Sequence, residues 1–395
     1  MAQPVRKIIA EQHPEVAEKP IYTLLVDGTN VLKICEVASK INTRGEEYGA
    51  FFTFLVKMKT LLKKKDFDYV YVVFDDENSG IMRYRLYSEY KANRDKNYGV
   101  FMEGDSDYAR LYNENLKKMR QAIFSKKKPQ KEKSPEEIKK KEDFARQRLM
   151  LMKYFEELFI RCICDHDTEG DDVMAYYVMN KKPNEKVVIV SGDMDLTQLL
   201  APDVCIFNPR SNSFVTYENF KSLNGYPSEN VLIKKIFCGD TSDNIGNIDG
   251  LSEKKLFEMM PEMNERPVTV QEVKDRAKLL IETRISEKKK PLKVHENIVN
   301  GISRRNYEGD FYEINEKIIN LKKPLLTESA LEEINTMRYE CIDPEGRSFG
   351  NVANYVREDD ITELLDSNKF STFFSEFNSL VNREKVKFEK KYGKK

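Results

Sequence analysis

The sequence predicts an α/β protein: a mostly parallel central sheet flanked by helices, followed by a helical second domain. Three observations carry that expectation. Short, continuously apolar runs (IYTLLV at 21–26, YVYVVF at 69–74, KVVIV at 186–190) have the length and β-branched content of strands buried on both faces. Helical periodicity separates them, which is the pattern of a parallel sheet with crossover helices. From about residue 231 the strand signals fade and helical patterns dominate.

Taken in order, residues 1–20 read as a polar extension without the 7–15-residue apolar stretch of a signal peptide, so a cytoplasmic protein is expected. The first strand, 21–26, runs into Asp27-Gly28. Phe51, Phe54, Leu55, Met58, Leu61 and Leu62 then recur at helical spacing. The second strand, 69–74, runs into Asp75-Asp76. The stretch from Tyr90 to about Phe144 is polar and Lys-rich without a strand signal, and reads as helical and projecting from the sheet. Between 117 and 141 it holds eleven basic and three acidic residues, a local charge of +8 in a chain with 66 Lys+Arg and 66 Asp+Glu. Such a run is a solvated face or meets a polyanion.

Glu169-Gly170-Asp171-Asp172 opens a helix over 173–179. The strand at 186–190 ends in Ser191-Gly192-Asp193-Met194-Asp195, and a fourth strand at 204–207 precedes a turn rich in Pro, Ser and Asn. GDTSDNIGNIDGLSEKK interrupts the helices beyond 231. Phe370, Phe373, Phe374 and Phe377 follow the spacing of an amphipathic helix packed on a core. The expected organisation is a polar extension (1–20), a catalytic domain (21–230) with an insertion at about 91–150, a helical domain (231–330) and a C-terminal extension (331–395).

Composition narrows the chemistry. The chain has 395 residues, 6 Cys and 3 His. The cysteines form no CxxC pair, and His13, His166 and His295 are too few for a His-rich zinc site or a hydrolase triad. No apolar run approaches the ~20 residues of a membrane helix. Carboxylates must carry the chemistry. In open α/β sheets the working site lies beyond the carboxyl ends of the strands, where Asp27, Asp75, Asp193 and Asp195 stand. Glu169, Asp171, Asp172, Asp240 and Asp243 join them if the loops converge. Taken singly, each Asp is equally a turn or helix cap; four element ends all closing on carboxylates exceed what capping explains. Nine such groups cannot stay ionised together without cations. All-oxygen ligands select Mg²⁺ or Mn²⁺, and two such ions about 3.5–4 Å apart suit phosphoryl chemistry.

LLVDGTN (24–30), VVFDDENSGIMRYR (72–85), EYKANRD (89–95), EGDDVMAYYV (169–178), SGDMDLTQLL (191–200) and GDTSDNI (239–245) occur in an order that resembles the structure-specific 5′ nucleases, the flap endonuclease and 5′–3′ exonuclease family, phage-type RNase H among them. The resemblance covers roughly residues 21 to 325. It implies a PIN/5′-nuclease-like sheet, a helical arch over 91–150 and a helix–hairpin–helix near 249–255. By this match Asp75, Glu169, Asp171 and Asp172 serve a first Mg²⁺, and Asp193, Asp195, Asp240 and Asp243 a second, with Asp27 beside them. Lys91 and Arg94 match the pair that grips the scissile phosphate, Tyr90 stacks on a base, and Arg83 is counted with the nucleic-acid contacts. Gly250, Ser252, Lys254 and Lys255 match the hairpin that approaches a duplex phosphate, where the family implies K⁺. Ser252 stands where a second Gly is usual.

The resemblance therefore implies a stand-alone Mg²⁺-dependent 5′ nuclease acting on DNA and RNA–DNA duplexes with 5′ ends or flaps, removing RNA primers and flaps in the replication of a phage. SNKFSTFF has the shape of a sliding-clamp peptide without its Gln, which raises a clamp or a single-strand-binding protein as partner. Two alternatives stay open. One is a nucleic-acid-binding replication accessory without catalysis. The other is a haloacid-dehalogenase-type phosphatase, for which Asp193-Met194-Asp195-Leu196-Thr197 imitates the nucleophile motif.

Overall fold

A computed structural model describes residues 19–38, 42–43, 46–75, 79–92, 134–165 and 167–393. Its centre is a six-stranded sheet of β1 (Ile21–Asp27), β2 (Tyr69–Val73), β3 (Arg161–Ile163), β4 (Glu185–Val190), β5 (Val204–Asn208) and β6 (Ser213–Val215), in the order β3-β2-β1-β4-β5-β6. The first five are mutually parallel and β6 pairs antiparallel with β5. The mostly parallel α/β class expected from the sequence is the one observed.

Alternation along the strands builds a core on each face. Leu24 and Val26 of β1 and Val70 and Val72 of β2 face one cluster, and Leu25, Tyr71 and Val73 face the other. The first cluster is completed by α1 (Gly28–Ala38), α2 (Gly49–Lys64) and α4 (Pro135–Glu157); the second by α5 (Gly170–Met179) and α6 (Tyr217–Asn224). The short helix α3 (Ile81–Leu86) follows β2. Because the chain steps outward through β2 and β3 and then returns to β4 on the far side of β1, strand order reverses beside β1. That switch point is where ligands bind in open sheets.

Four features differ from the expectation. β3 and β6 were not foreseen. The first is three residues long and seals its edge with a buried ion pair from Arg161 to Glu384 at 2.9 Å. Helix α4 begins in a capping box at Ser134 with Pro135 at its first turn, and by Gln147, Met150, Leu151 and Tyr154 it is already in the core. The expected insertion therefore ends earlier than 150; its residues 93–133, Arg94 among them, lie outside the described residues. Residues 331–395 are no appendage: Val352 and Val356 of α13 (Phe349–Glu358) and Phe373, Phe374 and Phe377 of α14 (Ser367–Tyr392) complete the first core cluster. Core packing, not a free clamp peptide, accounts for those phenylalanines.

The helical part comprises α7 (Asn230–Cys238), α8 (Glu253–Met259), α9 (Val270–Ser286), α10 (Lys293–Asn300) and α11 (Phe311–Ile319) around its own core of Ile236, Phe237, Leu256, Met263 and Ile298, with α12 (Glu328–Met337) returning to the sheet. Among the described residues no helix is long and apolar enough to cross a membrane.

Candidate active site

Eight of the nine expected carboxylates line one polar cleft of ≈ 180 Å³ at the carboxyl ends of the strands: Asp27, Asp75, Glu169, Asp171, Asp193, Asp195, Asp240 and Asp243. A larger cavity of ≈ 590 Å³ beside the turn at Gly250, lined by Leu251, Met259, Leu280 and Leu292, shares no residue with it. Volume does not locate the chemistry here; the convergence of charge does.

Four of these carboxylates, Asp27, Asp75, Asp193 and Asp240, accept from backbone N–H groups. Asp27 closes β1 and accepts from the Asn30 N–H at 2.9 Å and the Ser191 hydroxyl at 2.8 Å. Asp75 accepts from the Gly170 N–H at 2.7 Å. That approach explains the glycine, since a Cβ at 170 would lie 3.1 Å from the Asp75 Oδ1. Asp193 accepts from the Asp195 N–H at 2.8 Å, and Asp240 from the Ser242 N–H and hydroxyl at 2.8 and 2.7 Å. Gly239, at φ 68°, makes the sharp exit from α7 that presents Asp240; a Cβ there would meet the Ile245 carbonyl at 2.5 Å.

Burial and like charge dominate the electrostatics. Burial, then Asp75, pushes the Asp27 carboxyl up to about 7. Burial, then Asp193, Asp27 and Asp75, raises Asp171 well above the carboxylate range. Burial raises Asp195 to about 6 although the Lys235 ammonium pairs with it. At Asp240 burial works upward but Lys235, at 2.6 Å, and the Ser242 donors outweigh it, holding that group at about 2. Among the described residues, Asp27, Asp75, Asp171 and Asp193 make no ion pair. No three His, Cys, Asp or Glu side chains there stand in ready ligation geometry; the carboxylates line the walls with space between them. An all-oxygen, cation-deficient donor set of this kind fits hard divalent ions.

Three expected roles need correction. Asp172 is 1% exposed and turned from the cleft. Its two oxygens take both terminal nitrogens of Arg83, and the Leu325 N–H donates to it at 3.0 Å, so it is a structural ion-pair partner and not a metal ligand. Arg83 is no nucleic-acid contact: 4% exposed, it also pairs with Glu169 at 2.8 Å and donates to the Ile318 carbonyl at 2.7 Å. Tyr90, 2% exposed, cannot stack on a base; its hydroxyl donates to Glu169 at 2.9 Å and Asp243 at 3.2 Å. Lys91 does reach the cleft, where its ammonium contacts Glu169.

Sequence reasoning missed Lys33, Asn30 and Lys235. Lys33 lies on α1 and lines the cleft; its signal was a lysine within two turns of Asp27-Gly28. In the turn before α8, where the hairpin is expected, Gly250 has φ 81°, Ser252 caps α8, and Lys254 and Lys255 are exposed. Thr197, which the phosphatase motif would need in its site, is 2% exposed and donates to the Met194 carbonyl.

The profile of the 5′-3′ exonuclease N-terminal resolvase-like domain matches residues 22–225. The chain belongs to the 5′-3′ exonuclease family. Among its relatives, thermostable DNA polymerase I of Thermus caldophilus is 25% identical over 242 residues, covering 60% of this chain and 24% of the polymerase. The 5′-3′ exonuclease of Buchnera aphidicola is 33% identical over 108 residues, 26% of this chain and 37% of that protein. The chain thus spans well under half the length of these relatives. In fold, it resembles the bacteriophage T5 flap endonuclease solved with DNA and metal ions, at TM-score 0.53 and 17% identity, covering 80% of this chain and 97% of that one. The zinc-bound T5 5′-exonuclease gives TM-score 0.54 at 16% identity.

Proposed function

We propose that this 5′-3′ exonuclease family member is a structure-specific 5′ nuclease that hydrolyses phosphodiesters at 5′ ends or flaps on duplex DNA or RNA–DNA, leaving 5′-phosphate and 3′-hydroxyl. The observation that carries the reading is the convergence of eight carboxylates from separate element ends on one cleft that also holds Lys33 and Lys91. Asp27, Asp75, Asp171 and Asp193 would hold one Mg²⁺, for which Mn²⁺ substitutes, and Asp195, Asp240 and Asp243 form the second half of the site. Divalent ions bound there supply Lewis-acid activation of water and neutralise the phosphodiester.

The chain's own residues do the rest. Lys33 and Lys91 offset the negative cleft for an incoming phosphate; Lys91 exchanges Glu169 for it. Tyr90 and Arg83 hold Glu169 in place from behind. The exposed Gly250, Lys254 and Lys255 are set to meet a duplex phosphate away from the cut, and the Lys-rich 117–141 segment would track a single strand. In cells the role would be removal of RNA primers and flaps during replication.

The test is cleavage of an end-labelled 5′-flap duplex in Mg²⁺ or EDTA, comparing the wild type with Asp171→Asn and Lys91→Ala. Cutting near the junction that needs Mg²⁺, is abolished in the first variant and is slowed in the second supports the proposal. Binding without cutting in any divalent ion would turn the reading to a non-catalytic replication accessory.

A further inference from the structure

The two halves of the cleft are not alike. Asp27, Asp75, Asp171 and Asp193 carry no ion pair among the described residues, whereas the Lys235 ammonium lies between Asp195 and Asp240, bonded to both. Lys235 sits in the last turn of α7, where a cation also suits the helix terminus, and its side chain is 15% exposed. A lysine held there supplies fixed positive charge to the pair of carboxylates that would otherwise bridge a second ion. Its four-carbon stem lets it swing out, as a compact ammonium does more readily than a planar guanidinium.

We infer that Lys235 is the resident counter-cation of the second half of the site, so that the protein without nucleic acid takes up one divalent ion and admits a second only when this lysine is displaced. The inference rests on the reading of the cleft as a metal site. It makes Lys235 a positioning residue that sets metal stoichiometry rather than a group that touches the scissile bond. Occupancy of the second half would then depend on something that draws the lysine away, and a phosphate entering the cleft is the anion available to do so.

The experiment is titration of the full chain with Mn²⁺ in the absence of nucleic acid, reading free Mn²⁺ by electron paramagnetic resonance, for wild type, Lys235→Met, Lys235→Arg and the double variant Lys235→Met/Asp195→Asn. One ion per wild-type chain, two in Lys235→Met with the second bound at least about ten-fold more tightly than in wild type, and one in Lys235→Arg are expected, because a unit charge beside two carboxylates is worth at least about 1.4 kcal/mol of ion affinity. The double variant has lost both the lysine and one of its carboxylates, and returns to one ion. Two ions of similar affinity in the wild type overturn the inference while leaving the metal site intact, as does Lys235→Met with unchanged stoichiometry. No ion in any variant overturns the metal reading itself, and the inference with it. The wild-type count decides between these outcomes even if a variant folds poorly.

Discussion

In EDTA the protein should lose stability as pH rises from about 5 to 8, the reverse of ordinary acid denaturation. Asp27 is raised from 3.8 to about 7 and Asp195 to about 6, each chiefly by burial; Asp171 is displaced in the same direction. Between the unfolded and folded values the native state binds more protons than the unfolded chain, so the unfolding free energy falls with increasing pH. One unit corresponds to about 1.36 kcal/mol, which bounds the Asp27 contribution at ~4 kcal/mol. The carboxyls share one cleft and titrate as a set, so their contributions do not simply add, and a net loss of about 2–4 kcal/mol is expected. Asp240 behaves oppositely: held at about 2, it contributes stability above its unfolded value of 3.8 that is lost only as pH falls toward 2, below the window considered.

The measurement is urea unfolding followed by circular dichroism at half-unit pH steps, in EDTA and in about 10 mM Mg²⁺. With a formal net charge of +0 at pH 7, general charge repulsion is smallest near neutrality and would by itself make stability rise toward pH 7. A falling curve in EDTA therefore reports the cleft. Mg²⁺ should abolish the fall, and Asp27→Asn should flatten it without metal. A curve that is flat or rising in EDTA would refute the argument that buried like charge dominates this site.

Other expectations follow from single contacts. Mg²⁺ at about one hundred times its dissociation constant should stabilise the fold by about 2.7 kcal/mol per site, read as a melting shift that Asp171→Asn removes. Arg83→Ala strands Asp172 and Glu169 without their shared cation and should cost about 3–5 kcal/mol in urea unfolding, whereas Arg83→Met combined with Asp172→Leu should recover much of it. Phe377→Ala, at a fully buried position, should cost about 3–5 kcal/mol, and a loss below about 1 kcal/mol would show that the C-terminal helix is not part of the sheet's core. Lys33→Ala should raise KM about five-fold on a 5′-flap substrate with unfolding unchanged, and the effect should shrink at high salt.

What could be read from the sequence depended on whether a role has a local signature. Strands β1, β2, β4 and β5 are short runs of apolar residues, and the Asp that follows three of them announces itself by position. β3 is three residues, Arg-Cys-Ile, with a buried arginine whose partner Glu384 lies far along the chain, so neither periodicity nor length marks it. Asp171 and Asp172 look identical in sequence, yet neighbours on a helix cannot face the same way: the first turns to the cleft and the second to Arg83. Tyr90 and Arg83 sit in conspicuous motifs, but their hydrogen bonds go inward to Glu169 and Asp172, which motif matching cannot distinguish from outward contacts with a ligand. Lys235 reads as one more polar position on an amphipathic helix; only the fold brings Asp195 to it.

The charge balance of the cleft links these observations. Eight carboxylates face Lys33, Lys91 and Lys235, so three built-in cations leave five negative charges if every group ionises. Protonation of Asp27 and Asp171, the two most strongly disfavoured as anions, lowers the deficit to three in the metal-free protein. On the metal-site proposal, a single divalent ion that released those protons would restore the five and subtract two, returning the deficit to three. If the inference about Lys235 holds, that lysine would offset Asp195 and Asp240 until a phosphate drew it away, leaving the other half of the cleft to take its ion first. A cleft neutralised entirely by lysines would have little affinity for a metal, and one without any would be too negative to admit a phosphodiester.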